Sequence, residues 1–126
     1  MQPRVAVVGA PSVVTDRLAR LARGAGCDVH PCPPPAHGTS DVAVADVPNG
    51  ATVIALVASQ DATRALLALV PLLHRDHPGA RLVVVGEGTD EFDAFFDVGV
   101  DIWIDRRADD DTVVAALVGP GWRARH

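Results

Sequence analysis

Two cysteines and two histidines, residue types that can ligate zinc, lie close together near the end of the first quarter of the chain. They are Cys27, His30, Cys32 and His37. Their spacing is not that of a standard structural zinc site, and a strand followed by prolines separates side chains. We therefore expect no metal site, with Cys27 buried in a strand and both histidines facing solvent. A Cys27–Cys32 disulfide is not expected either, because five extended residues separate the α-carbons by about 16 Å.

The glycine-containing turns do not form a phosphate-binding or dinucleotide-binding loop. The turn Gly9-Ala10-Pro11 keeps only the first glycine of a dinucleotide fingerprint. The turn at 86–89 is followed by acidic residues that would repel an anion. His74 and His77 have no accompanying Ser or Cys nucleophile motif, and we predict that both lie on the surface. The sequence thus indicates no catalytic residue and no cofactor, and we expect that the chain is not an enzyme.

Charge and composition exclude several further classes of protein. The chain has 126 residues, enough for one domain, and a formal net charge of −5, from 16 acidic and 11 basic residues. This balance provides no general attraction for nucleic acid or for an anionic membrane surface. No apolar run reaches the length of a membrane span. We expect a cytoplasmic protein.

Short apolar runs alternate with segments of helical periodicity, a pattern typical of a doubly wound parallel sheet. Strands are predicted at 4–8, 27–30, 52–58, 81–85 and 101–104. The first helix begins at Ser12 or Thr15 and stops near Gly24, and further helices are predicted at 61–76, 91–98 and 110–118. Three phenylalanines, Phe92, Phe95 and Phe96, crowd the short helix at 91–98, so we expect one of them to face outward.

Two segments do not follow this alternation. Prolines at 31 and 33–35 exclude a helix interior or a central strand, and residues 41–47 fit either a strand or a short helix. A helix-breaking Gly-Pro-Gly at 119–121 closes the last helix. We therefore predict one domain at 1–118 and a tail, or the start of a linker, at 119–126.

The second half of the chain resembles the receiver domains of bacterial response regulators, the CheY-like family. Gly99-Val100-Asp101-Ile102-Trp103-Ile104 is similar to the family's Gly-Ala-Asp-x-Tyr-Leu step into the fifth strand. Residues 77–85 and the run beginning Asp109-Asp110-Asp111 resemble the adjoining third-helix, fourth-strand and last-helix segments. The resemblance implies a flavodoxin-like α/β fold, a five-stranded parallel sheet in the order 2-1-3-4-5 with helices on both faces. A proline-rich irregular segment would replace the second helix.

The resemblance also identifies the positions that carry phosphotransfer in receivers, and this sequence departs from the family at each of them. Receivers need an acidic pair for Mg²⁺, an acceptor aspartate, a hydroxyl side chain and a lysine followed by proline. The corresponding positions are Gly9-Ala10-Pro11, Ala55–Val57, Gly86, Arg106 and Arg107. The sequence contains no lysine at all. A degenerate receiver, or pseudo-receiver, is therefore implied.

Such a domain would act in signal transduction, in the manner of two-component proteins, as a phosphorylation-independent interaction module. In the family, the helix before the fifth strand, that strand and the last helix form the contact face. The residues of this chain at that face are Phe95, Trp103, Arg106, Val113 and Leu117. The expected partner is another protein or a second copy of the chain, with no direct binding to nucleic acid or to a membrane.

Two alternative functions stay open at this point. Residues 41–47 could be the phosphoacceptor strand, which would make Asp46 the phosphorylated residue of an active regulator. Alternatively, the emptied acidic pocket at the carboxyl ends of the strands could hold a small molecule, because such edges are frequent ligand sites in open α/β sheets.

Overall fold

The structure is a computed structural model that describes residues 4–10, 12–32, 47–48, 50–58, 63–86 and 92–118. Within these ranges there are five strands and four helices, which alternate except that β2 is followed by β3. The strands are β1 Arg4–Val8, β2 Asp28–Cys32, β3 Val53–Val57, β4 Arg81–Gly86 and β5 Ile102–Asp105. The helices are α1 Val13–Gly24, α2 Thr63–Asp76, α3 Phe92–Asp97 and α4 Asp110–Val118.

The five strands form one parallel sheet in the order β2-β1-β3-β4-β5, which confirms the predicted architecture. The three central strands are apolar along nearly their whole length because helices cover both of their faces. β2 lies on one side of β1, and the next strands, from β3 onward, are added on the other side. This reversal places the topological switch point of the sheet at the carboxyl ends of those two strands.

The core consists of two layers, one on each face of the sheet. On one face, α1 and α4 pack side by side and bury Leu18, Val113 and Leu117 against β1 and β3. On the other face, α2 and α3 cover the sheet. The side chains that point inward from these two helices are Leu66, Leu69, Val70, Leu73 and Phe95.

Hydrogen bonds between the two predicted candidates for the N-cap define the start of α1. Ser12 is the N-cap, and its Oγ accepts a hydrogen bond from the Thr15 amide at 3.3 Å. The Ser12 amide in turn donates to Thr15 Oγ1 at 2.8 Å. This reciprocal arrangement satisfies two amides that the helix itself leaves unpaired.

Several element ends lie one or two residues from their predicted positions, and the surface position predicted for His77 is wrong. β2 continues through Pro31 to Cys32, two residues beyond the predicted end, because an edge strand tolerates proline. β5 begins at Ile102 because the Asp101 carboxylate accepts a hydrogen bond from the Leu82 amide at 2.9 Å in the turn before it. His77 is only 8% exposed, contrary to the surface position predicted for it. The turn 77–80 folds this residue inward, since the Ala80 amide donates to the His77 carbonyl.

Several predictions concern residues outside the described ranges. The proline-rich replacement for a second helix falls at 33–46, beyond the part of β2 that contains Pro31 and Cys32. The predicted tail, 119–126, also lies outside, so the domain boundary after Val118 stays a prediction. Among the described residues, no helix has both the length and the apolar character that crossing a membrane requires.

Candidate functional site

The carboxyl ends of the strands meet at one edge of the sheet, the edge to which the phosphotransfer positions of a receiver correspond. Backbone hydrogen bonds hold the ends side by side. The Ala58 amide, just after β3, donates to the Val85 carbonyl at 2.8 Å, and the Arg106 amide, just after β5, donates to the Gly86 carbonyl at 2.8 Å. The residues that follow these strands are therefore close neighbours, as a shared site requires.

Between β1 and β3 this edge is apolar and closely packed. A Cβ atom built on Gly9 would lie 3.0 Å from the Cβ of Val57 and 3.3 Å from the Cγ2 of Thr15. Gly9 therefore lies directly against the end of β3. At the positions where a receiver would hold Mg²⁺ and its acceptor aspartate, the described residues Gly9, Ala10 and Val57 contribute no carboxylate.

Between β4 and β5 the edge is occupied by an aromatic ring. A Cβ atom on Gly86 would lie 2.6 Å from Cη2 and 2.7 Å from Cζ2 of Trp103. The indole also meets Phe95, with ring centroids 5.8 Å apart and the planes inclined by 44°. A hydroxyl side chain at position 86 and this orientation of Trp103 exclude each other, because a real Cβ does not approach another carbon so closely.

The turn after β5 carries the acidic group of this edge. Among the described residues at the strand ends, Asp105 is the one carboxylate, and its Oδ1 accepts a hydrogen bond from the Arg107 amide at 2.8 Å. The Ala108 amide donates to the Asp105 carbonyl at 2.9 Å, which closes the turn. Asp105 thus shapes the loop, while the side chains of Arg106 and Arg107 are exposed.

Arg17 of α1 fastens this loop from the neighbouring helix. Its Nη1 donates to the Arg106 carbonyl at 3.1 Å, and its Nη2 donates to the Ala108 carbonyl at 2.5 Å. Its Nε and Nη2 also reach Asp110 Oδ1, at 3.1 and 2.7 Å. The planar guanidinium can make these contacts together because its donors diverge in a fixed plane. This role was not predicted, since nothing in the local sequence distinguishes Arg17 from Arg20 or Arg23.

Both ends of α4 are fixed by polar contacts. At its start, the Asp109 carboxylate accepts a hydrogen bond from the Thr112 amide at 2.8 Å. Hydrogen bonds from the Thr112 side chain and backbone lower the pKa of Asp109. Near its end, Arg81 Nη1 donates to the Ala116 carbonyl at 2.6 Å. The helix that would carry part of an interaction face is therefore held in a defined position.

Comparisons with known proteins identify the fold. Neither a family model nor a curated protein sequence matches this chain. Among solved structures, a response regulator from Burkholderia pseudomallei with a phosphorylated aspartic acid, a calcium ion and citrate shares 19% identity at a TM-score of 0.73. That match covers 98% of this chain and 71% of the regulator. This chain has the CheY-like receiver fold.

Two further matched structures with this receiver fold have similar levels of identity. A CheY-like protein, tadZ, from Pseudomonas aeruginosa is 20% identical at a TM-score of 0.72, over 90% of this chain and 95% of that protein. A putative CpaE2 pilus assembly protein from Sinorhizobium meliloti is 19% identical at a TM-score of 0.61, over 89% and 95% of the two chains. At these identities the similarity shows the fold alone.

The structure divides the predicted contact residues of the receiver fold into two groups. Three of the five are buried, with exposed fractions of 0% for Phe95 and 1% for Val113 and Leu117. A buried side chain has no surface left for a partner. These three residues therefore support the face from beneath and do not contact a partner themselves. Trp103 is half-buried and Arg106 is exposed. Of the two phenylalanines of α3 whose side chains the structure describes, Phe96 faces outward, at 37% exposure, as expected for one of the three.

Asp46, the alternative phosphoacceptor, lies outside the described residues. The strand between β1 and β4, the position of the acceptor strand in the receiver fold, is Val53–Val57. Cys27 and Cys32, two of the four residues considered as metal ligands, are not joined by a disulfide. Cys27 packs in the layer of α1 and α4, whereas Cys32 packs in the layer of α2 and α3, so the two point to opposite faces of the sheet.

Proposed function

We propose that this chain is a cytoplasmic, phosphorylation-independent receiver domain that serves as a protein-interaction module in signal transduction. The observation that carries the proposal is the indole of Trp103 beside Gly86. The ring stands where the receiver hydroxyl would bind a phosphoryl group. With that position filled, the edge of the sheet is suited to packing rather than to phosphotransfer.

The chemistry of the remaining positions supports the same conclusion. Phosphoryl transfer relies on metal ions and cationic groups that neutralise the phosphoryl oxygens, and on a nucleophile placed in line. Here Gly9 and Val57 pack against each other where the metal ligands and the nucleophile would meet. Arg106 keeps a positive charge at the lysine position, but its guanidinium is larger and planar, unlike a compact ammonium group.

A fixed loop after β5 agrees with a function that needs no switching. In receivers the aromatic residue of β5 reorients on phosphorylation. In this chain, Trp103 is held between Gly86 and Phe95, while Arg17 hydrogen-bonds the following loop at Arg106 and Ala108. These contacts stabilise one arrangement of the face formed by α3, β5 and α4. A partner would therefore meet a preorganised surface, which reduces the entropy lost on binding.

The proposed partner is a protein or a second copy of this chain, bound through the face of α3, β5 and α4. Its exposed residues include Phe96, Trp103 in part, and Arg106, and aromatic and arginine side chains are enriched in the centres of interfaces. Ala115 on α4 is also exposed. This mixture of aromatic, apolar and cationic groups favours a protein surface over nucleic acid in a chain of net charge −5.

Exposure to acetyl phosphate, and separately to beryllofluoride, in the presence of Mg²⁺ tests phosphorylation independence. We expect no added phosphoryl group in the intact mass and no change in the amide NMR spectrum. A stoichiometric phospho-adduct would contradict the proposal. In that case an Asp46→Asn variant identifies the acceptor, because the adduct would disappear in this variant only if Asp46 carries it.

Sedimentation equilibrium tests the face in its self-association form. We expect the wild-type chain to form a dimer that Phe96→Glu weakens, because a buried carboxylate at an apolar contact is costly. Val13→Glu is the matched control, since Val13 is also an exposed apolar residue, at 83%, but lies at the start of α1. Equal weakening by both variants, or a monomer at every concentration, would rule out a homodimer through this face.

A further inference from the structure

A cleft at the opposite edge of the sheet, beside the amino ends of β1 and β2, has features of a ligand site. Its volume is about 470 Å³, within the range of small-molecule pockets. Arg4 opens β1, Arg23 comes from the last turn of α1, and His30 comes from β2. Exposed Asp28, buried Cys27, and half-buried Val29 and Pro48 complete the lining, which is mainly polar. The cleft therefore combines two cationic groups with one carboxylate and a small apolar area.

The cationic groups of this cleft are not neutralised within the described part of the chain. Arg4 and Arg23 have exposed side chains, and neither guanidinium takes part in the ion pairs or side-chain hydrogen bonds found there. Asp28 lies directly opposite Arg4 in the register of β1 and β2, yet no ion pair joins them. Arg17, by contrast, is neutralised by Asp110. The described lining of the cleft thus holds two guanidinium groups against the one carboxylate of Asp28, a net positive charge in an acidic protein.

Two guanidinium groups that line one cleft favour a bound anion, because an anion between them offsets their mutual repulsion. Guanidinium presents several N–H donors in a plane, a geometry that matches the oxygens of phosphate or carboxylate. Asp28 and His30 beside them can accept hydrogen bonds from hydroxyl or amino groups of the same ligand. We infer that this cleft binds a small molecule that carries a phosphate or carboxylate group next to hydroxyl or amino groups.

Titration of amide NMR spectra at low ionic strength tests the inference, with inorganic phosphate, ribose 5-phosphate and citrate as three separate probes. We expect saturable shifts at Arg4, Arg23 and residues 27–30, while the amides of 106–108 at the other edge stay unchanged. Tighter binding of ribose 5-phosphate than of citrate would identify a phosphorylated ligand class, and the reverse a carboxylate class. Weaker binding of inorganic phosphate than of ribose 5-phosphate would show that the hydroxyl groups contribute.

Variants of the two arginines link any binding to the cleft. Loss of one charge-assisted hydrogen-bonding partner weakens binding by about tenfold, so we expect that effect for Arg4→Gln and for Arg23→Gln. Arg20→Gln is the matched control, because Arg20 is also exposed on α1 but lies outside the lining. Both cleft arginines are exposed, so the variants should keep the wild-type amide spectrum elsewhere. Absence of saturable shifts with all three probes, or equal weakening by Arg20→Gln, would overturn the inference.

Discussion

The indole of Trp103 lies so close to Gly86 that a Cβ atom at position 86 would come within 2.6 Å of its Cη2. The two residues are on neighbouring strands, with Trp103 paired to Val84 in the register. Glycine at the end of β4 and tryptophan in β5 are therefore one structural feature, since the absence of a side chain at 86 makes room for the ring. In the receiver fold these two positions otherwise hold a hydroxyl side chain and a mobile aromatic.

Gly86→Thr, which restores the hydroxyl side chain of a receiver, should displace Trp103. Insertion of a larger side chain into a packed site costs about 1–3 kcal/mol of unfolding free energy, and we expect a loss in that range. The displaced indole should become more exposed, so its fluorescence should move to longer wavelength. Urea denaturation and emission spectra measure both effects, in a Trp122→Phe background so that Trp103 is the only emitter.

Gly79→Ala is the control for that substitution, because a Cβ atom at Gly79 meets nothing within 4 Å. It should leave both stability and emission unchanged. In a double variant, Trp103→Ala together with Gly86→Thr, the cost of the threonine should largely disappear, because contacting residues are not additive. Unchanged stability and emission in Gly86→Thr alone would show that the ring is not held beside position 86.

Arg17→Lys should loosen the loop after β5 although it keeps the charge. A lysine ammonium cannot reproduce the planar set of donors that reaches Arg106, Ala108 and Asp110 together. The Asp110 side chain is 60% exposed, so solvent weakens this ion pair and most of the effect comes from the carbonyl hydrogen bonds. We expect a loss of about 1 kcal/mol in urea denaturation and faster hydrogen exchange at 106–108.

Arg20→Lys is the comparison for Arg17→Lys, since Arg20 is an exposed arginine of the same helix. It should change neither the unfolding free energy nor the exchange rates at 106–108. If the two variants behave alike, Arg17 does not hold the loop.

The fold could be predicted from the sequence wherever one local pattern determined the outcome. β1, β3 and β4 are apolar runs typical of a parallel sheet covered on both faces, and they were predicted to within one residue. α4 was predicted with its observed bounds, because Asp109 and the glycines after Val118 mark both ends. The segment Gly99–Ile104 indicates the receiver architecture by its sequence alone, since its glycine turn, aspartate and aromatic strand residue follow the family's spacing.

The candidate site was less predictable because its contacts join residues far apart in the chain. Position 86 could be recognised as lacking a hydroxyl, but the placement of the Trp103 ring over it depends on the pairing of β4 and β5. Arg17 reaches a loop about ninety residues later, as the separations of 89 and 91 residues show. His77 precedes a Pro-Gly turn, a sequence context typical of the surface. The hydrogen bond that closes this turn joins backbone groups, so the side-chain types do not indicate that His77 is buried.

Phe95 and Phe96 are adjacent in α3 yet should respond oppositely to truncation. Phe95 is fully buried against Trp103, so Phe95→Ala should cost about 3–5 kcal/mol of unfolding free energy. Phe96 is 37% exposed, and Phe96→Ala should cost much less while weakening any self-association through this face. Urea denaturation and sedimentation equilibrium on the two variants measure these effects. A larger stability loss for Phe96→Ala would contradict the assignment of Phe95 to the core.

The thiol of Cys27 should make stability fall as the solution becomes alkaline. Burial, and secondarily the negative charge of Asp28, raises the pKa of this thiol above its ordinary value. Its stabilising effect is therefore complete below the pKa of the unfolded thiol and is lost as the pH rises through the higher pKa of the folded one. Urea denaturation from about pH 7 to about pH 10 measures this effect. The free energy of unfolding should fall more steeply with pH for wild type than for Cys27→Ala, whose smaller side chain lowers stability by the same amount at every pH. Parallel pH profiles for wild type and Cys27→Ala would show that Cys27 ionises as readily in the folded chain as in the unfolded one.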